Sequence, residues 1–261
     1  MNEEQVRTAA ATLWRHWQQL TRLAELPAPC RPATRAEGYS IQAELARQSG
    51  ENVVGWKIAA TSQAGQQHIH VDGPIAGPLL AARALAPGAR VPLAGNNMNV
   101  AEAEFAFRIG RDLPARAQDY AVEEVLAAVA SLHPAIEVPD SRYADFTCVG
   151  APQLIADAAC ACWFLIGPTV GVDWRARDLV RHGVAAYRND ALAAQGSGAN
   201  VLGDPRRALA WIANELGRYG AGLRAGDVVI TGTCVTPVPV AAGDRIRMDF
   251  GDFGAIAAQF A

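Results

Sequence analysis

The residues from which chemistry can be read first are Glu102 and Glu104. They stand two apart in Ala101-Glu102-Ala103-Glu104-Phe105-Ala106-Phe107-Arg108-Ile109, a run that otherwise alternates toward apolar residues. On a β-strand, side chains two apart leave the same face with Cα atoms about 6.5–7 Å apart, so the pair can grip one cation. A third carboxylate, Glu137, lies in the similar apolar setting His133-Pro134-Ala135-Ile136-Glu137-Val138. Three oxygen ligands on rigid elements suit a hard divalent ion, Mg²⁺ or Mn²⁺. The same alternation also describes the solvated face of a half-buried strand, and the pattern alone leaves both readings open.

The elements that must position these carboxylates change texture near residue 51. Before it, Val6, Ala9, Ala10, Leu13, Trp17, Leu20 and Leu23 recur at helical spacing until Pro27, Pro29 and Pro32, which predicts an amphipathic helix. Thr34 followed by Glu37 has capping-box spacing, predicting a second helix from about Arg35 to Gln48 that stops at Ser49-Gly50. Residues 1–50 are thus expected to form a helical appendage and residues 51–261 a catalytic domain. Short β-rich runs follow, among them Val53 to Ile58, Gly226 to Thr231 and Asp244 to Met248. Val122, Val125, Leu126 and Val129 keep helical spacing, and Asp204-Pro205 opens a helix expected to close near Gly220. Strands and helices do not alternate regularly, so the class is α+β, not a doubly wound sheet or an α/β barrel.

Composition narrows the partners. The chain has 261 residues, 51% of them hydrophobic, and a net charge of -3, enough apolar content for a sizeable core and no polyanion footprint. Nucleic acid and membrane are therefore excluded as partners, and the N-terminus carries no leader pattern, giving a cytoplasmic expectation. The five cysteines, Cys30, Cys148, Cys160, Cys162 and Cys234, follow no disulfide or zinc spacing and read as free thiols.

The order of several short segments is more specific than any of them alone. Gly55-Trp56-Lys57-Ile58 with Thr61-Ser62 precedes Glu102-Ala103-Glu104, then Pro134-Ala135-Ile136-Glu137 and Ser141-Arg142. Gly196-Ser197-Gly198, Leu202-Gly203-Asp204-Pro205, Thr231-Gly232 and Ala242-Gly243-Asp244-Arg245 continue the series. In this order the chain resembles the 2-keto-4-pentenoate hydratase and 4-oxalocrotonate decarboxylase branch of the fumarylacetoacetate hydrolase superfamily. The resemblance implies a mixed β-sheet roll with outer helices, an N-terminal helical segment and assembly as a homo-oligomer. It makes Glu102, Glu104 and Glu137 the ligands of Mg²⁺ or Mn²⁺ and turns Lys57 toward the same site as the catalytic ammonium. Arg142, beside Ser141, is a candidate for a substrate carboxylate or for a structural ion pair, and Cys160, Thr231 and Gly232 are expected at the pocket.

Two positions depart from that branch. Its hydratases carry an acid, an aromatic residue and Gly where this chain has Ile75-Ala76-Gly77, and Asp-Asn-Ala-Ser where it has Asp157-Ala158-Ala159-Cys160. Both exchanges are expected to change the polarity of the pocket. The implied activity is hydration of a 2-hydroxy-2,4-dienoate, through its 2-oxo-3-enoate tautomer, to a 4-hydroxy-2-oxo acid in aromatic-compound catabolism. A 4-oxalocrotonate-type decarboxylase is the alternative; an acylpyruvate C–C hydrolase and a non-catalytic partner subunit rank lower. A complex with another catabolic enzyme is also compatible with the resemblance.

Overall fold

The computed structural model describes residues 1–220 and 222–261. Helix α1 (Glu3–Gln19) is opened by Asn2, which exchanges capping-box hydrogen bonds with Gln5. It ends earlier than its apolar period suggests: Leu20 turns left-handed, and the Thr21 N–H donates back to the His16 carbonyl. Leu23, expected in the helix, lies beyond it and bridges to Tyr143 in parallel. Helix α2 (Arg35–Ser49) has the expected Thr34–Glu37 capping box and a left-handed Gly50 at its end.

Three short helices follow, α3 (Gln63–His68), α4 (Val122–Leu126) and α5 (Ala151–Ala156). Val129, expected to continue α4, instead begins a strand, because Ala127 and Ala128 close the helix as a turn. Helix α6 (Pro205–Tyr219) has Asp204 as N-cap and Pro205 in its first turn, as its sequence predicts.

Strands longer than two residues are numbered in chain order. The main sheet contains β1 (Val53–Ala59), β2 (Ile75–Leu80), β3 (Val100–Ile109), β4 (Val129–Val138) and β5 (Trp163–Ile166). A second sheet contains β6 (Gly183–Arg188) and β7 (Ala191–Ser197). Strand β8 (Val228–Thr233) returns to the main sheet, while β9 (Arg245–Asp249) and β10 (Ala255–Phe260) complete the second. The main sheet runs β2-β1-β8-β3-β4-β5 and the second β7-β6-β9-β10, with two-residue strands at their margins. β1 and β8 are parallel and β8, β3 and β4 antiparallel, so the main sheet is mixed.

Alternation along β3 sends Phe105 and Phe107 into the core, where they join Ile136 of β4 and Met248 and Ile256 of the second sheet. Glu102 and Glu104 leave the opposite face. The N-terminal helices do not stand off from this body. Leu13, Trp17, Ile41 and Leu45 share a core with Tyr143, Ala156, Ala158 and Ala161, and Gln42 of α2 donates to the Ala76 and Ile155 carbonyls at 2.8 and 2.7 Å.

Candidate active site

Register brings the three carboxylates together. Glu102 of β3 pairs directly with Glu137 of β4, and Glu104 lies one same-face step along β3. One ligand oxygen from each of Glu102, Glu104 and Glu137 lies within 4.8 Å of the others. Like charges opposite each other on neighbouring strands are destabilising, so something must compensate this pairing. Lys57 of β1 supplies part of it: its Nζ lies 3.0 Å from Glu137 Oε1 and donates to the Ala159 carbonyl at 3.0 Å.

The backbone supplies another part. Pairing between β8 and β3 slips between Ile230 and Thr233, and in that bulge Gly232 takes φ +104. Its N–H thereby donates to Glu104 Oε2 at 2.6 Å. A Cβ at Gly232 would lie 2.2 Å from Thr61 Oγ1, so both the left-handed backbone and the close approach require glycine.

These contacts leave the carboxylates under-satisfied. Glu104 Oε1 and both Glu137 oxygens are buried without a hydrogen-bond partner; the Lys57 contact with Glu137 is close but not aligned as a hydrogen bond. Each buried unsatisfied polar atom costs on the order of 1–3 kcal/mol. Burial, then repulsion from Glu137, pushes Glu102 up to about 7; burial, Glu137 and Glu102 push Glu104 well above the carboxylate range. Burial also raises Glu137, against the pull of Lys57. For Lys57, burial favours the neutral amine, but Glu137 and then Glu102 outweigh it and hold the ammonium protonated. Excess buried negative charge with free oxygen lone pairs suits a hard divalent cation, and Glu102, Glu104 and Glu137 fit one.

A cavity of about 610 Å³ opens over this cluster. Lys57, Glu102, Cys160 and Gly232 line it; Glu104 and Glu137 are fully buried beneath. Burial, then Asp157, pushes the Cys160 thiol up to about 12, leaving it a neutral, weak donor. Neutral polar groups on the wall include Thr61, Asn97, Asn200 and Thr233, and the apolar part includes Ile69, Met98 and Phe146.

Three expectations need correction. Arg142 does not line the cavity: it is fully buried, its guanidinium donates to the Asp157 carboxylate, the Asp157 carbonyl and the Ala161 carbonyl, and it stacks 3.9 Å over Trp17. Each of its three guanidinium nitrogens donates to this local backbone or to Asp157, so of its two candidate roles the geometry carries the structural pair. Thr231 points away, its hydroxyl donating to the Phe105 carbonyl, and Thr233 reaches the cavity in its place. Ile75 is fully buried in the core and not on the cavity wall, so only the Cys160 exchange alters the pocket lining.

A feature that sequence reasoning missed adjoins Lys57. Ala158, Ala159 and Cys160 take φ of 53, 48 and 63, three consecutive left-handed residues without a glycine. Such backbone costs roughly 1–2 kcal/mol per residue. The Ala158 carbonyl of this turn sits where a Cβ on Gly77 would come within 1.9 Å, so Gly77 is what lets the turn lie against β2.

Residues 57–261 match the fumarylacetoacetate (FAA) hydrolase C-terminal family. The chain belongs to that family. It is 35% identical to a 2-keto-4-pentenoate hydratase of Burkholderia vietnamiensis, over 91% of this chain and 90% of that protein. It is also 35% identical to a 2-hydroxyhexa-2,4-dienoate hydratase of Comamonas testosteroni, over 87% of this chain and 86% of its relative. Among solved structures, 4-oxalocrotonate decarboxylase from Pseudomonas putida G7, complexed with magnesium and adipate, superposes with a TM-score of 0.91. That alignment covers 100% of this chain and 99% of the decarboxylase at 28% identity. The mixed sheets with outer helices expected from the segment order are the family's fold. Among the described residues, no helix is long and apolar enough to cross a membrane.

Proposed function

We propose that this family member is a lyase that hydrates a 2-hydroxy-2,4-dienoate, by way of its 2-oxo-3-enoate tautomer, to a 4-hydroxy-2-oxo acid. The observation that carries this reading is the polarity of the cavity: a cluster of one ammonium and three carboxylates at its floor, below walls of neutral side chains. Glu102, Glu104 and Glu137 would hold a divalent cation, Mg²⁺ or Mn²⁺, which when bound supplies a Lewis acid for the 2-oxo acid end of the substrate.

The chain's own groups do the rest. Lys57 Nζ, kept protonated by Glu137 and Glu102, offers a fixed positive charge to the substrate's 2-oxygen as negative charge builds there. Tautomerisation moves a proton from the 2-hydroxyl to the far end of the diene. Water then adds across C3 and C4, its hydroxyl to C4 and a proton to C3. Thr61, Asn97, Asn200 and Thr233 offer neutral polar groups on the cavity wall above the carboxylate cluster. Among the described residues, Lys57 is the only lysine or arginine on the cavity wall, and His68, also on that wall, stands exposed in T-shaped contact with Phe146. The wall thus offers no second fixed cation for a substrate with a carboxylate at both ends, and this favours a monoacid.

Decarboxylation of a 2-oxo-3-enedioate is the second reading, supported by the fold-wide likeness to 4-oxalocrotonate decarboxylase and by Cys160 standing where a hydroxyl would help place water. Purified protein with Mg²⁺ separates the two when given 2-hydroxypenta-2,4-dienoate and a 2-oxo-3-enedioate. Loss of conjugated absorbance without CO₂ supports hydration; release of CO₂ from the diacid supports decarboxylation. The same proposal includes a homo-oligomer, a cytoplasmic location and a helical segment, 1–50, ahead of the catalytic domain.

A further inference from the structure

Lys57 is the only lysine in the chain, and its ammonium is shared between Glu137, a carboxylate of the cation cluster, and the carbonyl of Ala159. That carbonyl belongs to the left-handed turn Ala158–Cys160, which L-residues adopt only when the surroundings impose it. The two residues that bracket the turn are both held by Arg142. Its Nε and Nη2 donate to the Asp157 carboxylate and carbonyl, and its Nη1 donates to the Ala161 carbonyl at 3.2 Å. The second Asp157 oxygen is fixed by Ser141 Oγ at 2.8 Å and by the Arg142 N–H at 3.0 Å. On its other side the turn rests on Gly77, the residue paired with Lys57 across β1 and β2.

We propose that Arg142 is a positioning residue for the site: by clasping Asp157 and Ala161 it forces the intervening turn left-handed, and the Ala159 carbonyl then shares the Lys57 ammonium with Glu137, holding it at the edge of the carboxylate cluster instead of among all three acids. Without the tether, the nearest acceptors for Nζ are the carboxylate oxygens, and an ammonium seated among them competes with a divalent cation for the same lone pairs. The clasp therefore keeps one charge available to substrate and three carboxylates available to metal. This rests on reading Glu102, Glu104 and Glu137 as the metal-holding set.

The test uses Mn²⁺ as probe and needs no substrate, so it stands or falls separately from the reaction assigned above. Arg142→Met keeps side-chain bulk and removes the clasp. Mn²⁺ affinity, read by electron paramagnetic resonance, should fall by about 10-fold or more, the loss typical when the partners behind metal ligands are removed. Adding Lys57→Met in that background should bring the affinity back to that of Lys57→Met alone, because the competing ammonium is gone. An affinity loss that persists in the double variant would show a collapsed site and overturn the proposal. So would an unchanged affinity in folded Arg142→Met, or a wild type that binds no Mn²⁺. Should Arg142→Met not fold, Gly77→Ala displaces the same turn from its other side and carries the same expectations. With a single lysine, ¹⁵N-lysine labelling gives one side-chain ammonium signal, expected to be slow in hydrogen exchange in the metal-free wild type and to shift or broaden in either variant. An unmoved signal in both would also overturn the tether.

Discussion

Two buried ion pairs adjoin the Ala158–Cys160 turn, and they are built to opposite rules. In Arg142–Asp157 both Asp157 oxygens accept hydrogen bonds, as does its carbonyl, and the guanidinium is further packed on an indole ring. In Lys57–Glu137 the ammonium has one carbonyl acceptor, while both Glu137 oxygens and one of Glu104 lack hydrogen-bond partners. A buried pair that is satisfied on every side fixes structure. A buried pair with spare lone pairs fixes structure poorly but can take a ligand, and the shortfall marks where this one belongs.

The sharpest way to break this comparison is to remove the acid from the satisfied pair. Asp157→Ala leaves Arg142 charged and buried without a carboxylate, and stability should fall by about 3–5 kcal/mol, read by chemical denaturation. A loss below 1 kcal/mol would mean that the pair is not the anchor its hydrogen bonds describe. In the unsatisfied cluster the corresponding change should act on ligand binding. Glu104→Gln keeps an oxygen for the Gly232 N–H and removes the charge, and the affinity for Mg²⁺ or Mn²⁺ should drop by more than ~100-fold, beyond the usual cost of losing an outer partner. Equal affinities by calorimetry would take Glu104 out of the metal site.

Lys57→Met comes next. With substrate saturating, kcat should fall roughly 10²-fold, the typical cost of losing one donor that acts on developing charge, while KM moves little. A rise in KM at constant kcat would instead make Lys57 a ground-state binder of the substrate carboxylate.

How much of this could be read beforehand differs between the same two regions. Strand alternation made it legible that Glu102 and Glu104 share a face, but left a cation site and a solvated face both open; Glu137 joined them only through the order of segments, because the register that pairs it with Glu102 is set between strands and not within one. Capping residues likewise placed α2 and α6, since Thr34, Glu37 and Asp204 act locally. Leu23 and Val129 were misplaced because apolar spacing continues past the point where the backbone hydrogen bonds end the helix. The turn at Ala158–Cys160 left no trace, since Ala-Ala-Cys has no intrinsic leaning to left-handed backbone and the cause lies at Arg142, fifteen residues from Asp157. Arg142 itself could not be assigned from sequence, for its role depends on which acid it meets. The sequence does carry one signal for this place: among 23 lysines and arginines, Lys57 is the only lysine. Where arginine fills every other cationic position, a lone lysine marks a place for a compact, rotatable ammonium.

The smallest effect expected is on stability against pH in the metal-free protein, and it has a definite sign. Burial, and then Glu137, hold Glu102 up at about 7 in the folded chain, above the ordinary glutamate value of 4.5 that applies once the chain unfolds. Between those two values the folded state binds more protons than the unfolded one, so the free energy of unfolding decreases as pH rises through the window. Burial holds His16 and His133 below the ordinary imidazole value, and they act in the opposite sense over part of this window, so the contribution of Glu102 is read as the difference between wild type and Glu102→Gln. Glu44, held by Arg47, and Glu124, held by Arg116, are pulled down to about 2, and their contribution is already complete above about pH 5. In chelator, the melting temperature of the metal-free wild type relative to Glu102→Gln, which cannot ionise, should therefore fall between pH 5 and pH 7. Added Mg²⁺ should reverse it, because the cation displaces the protons and binds more tightly as the carboxylates ionise. A metal-free melting temperature that rises over the same window in the wild type and in Glu102→Gln alike would mean that the cluster is not starved of positive charge, and the contrast between the two ion pairs would be lost.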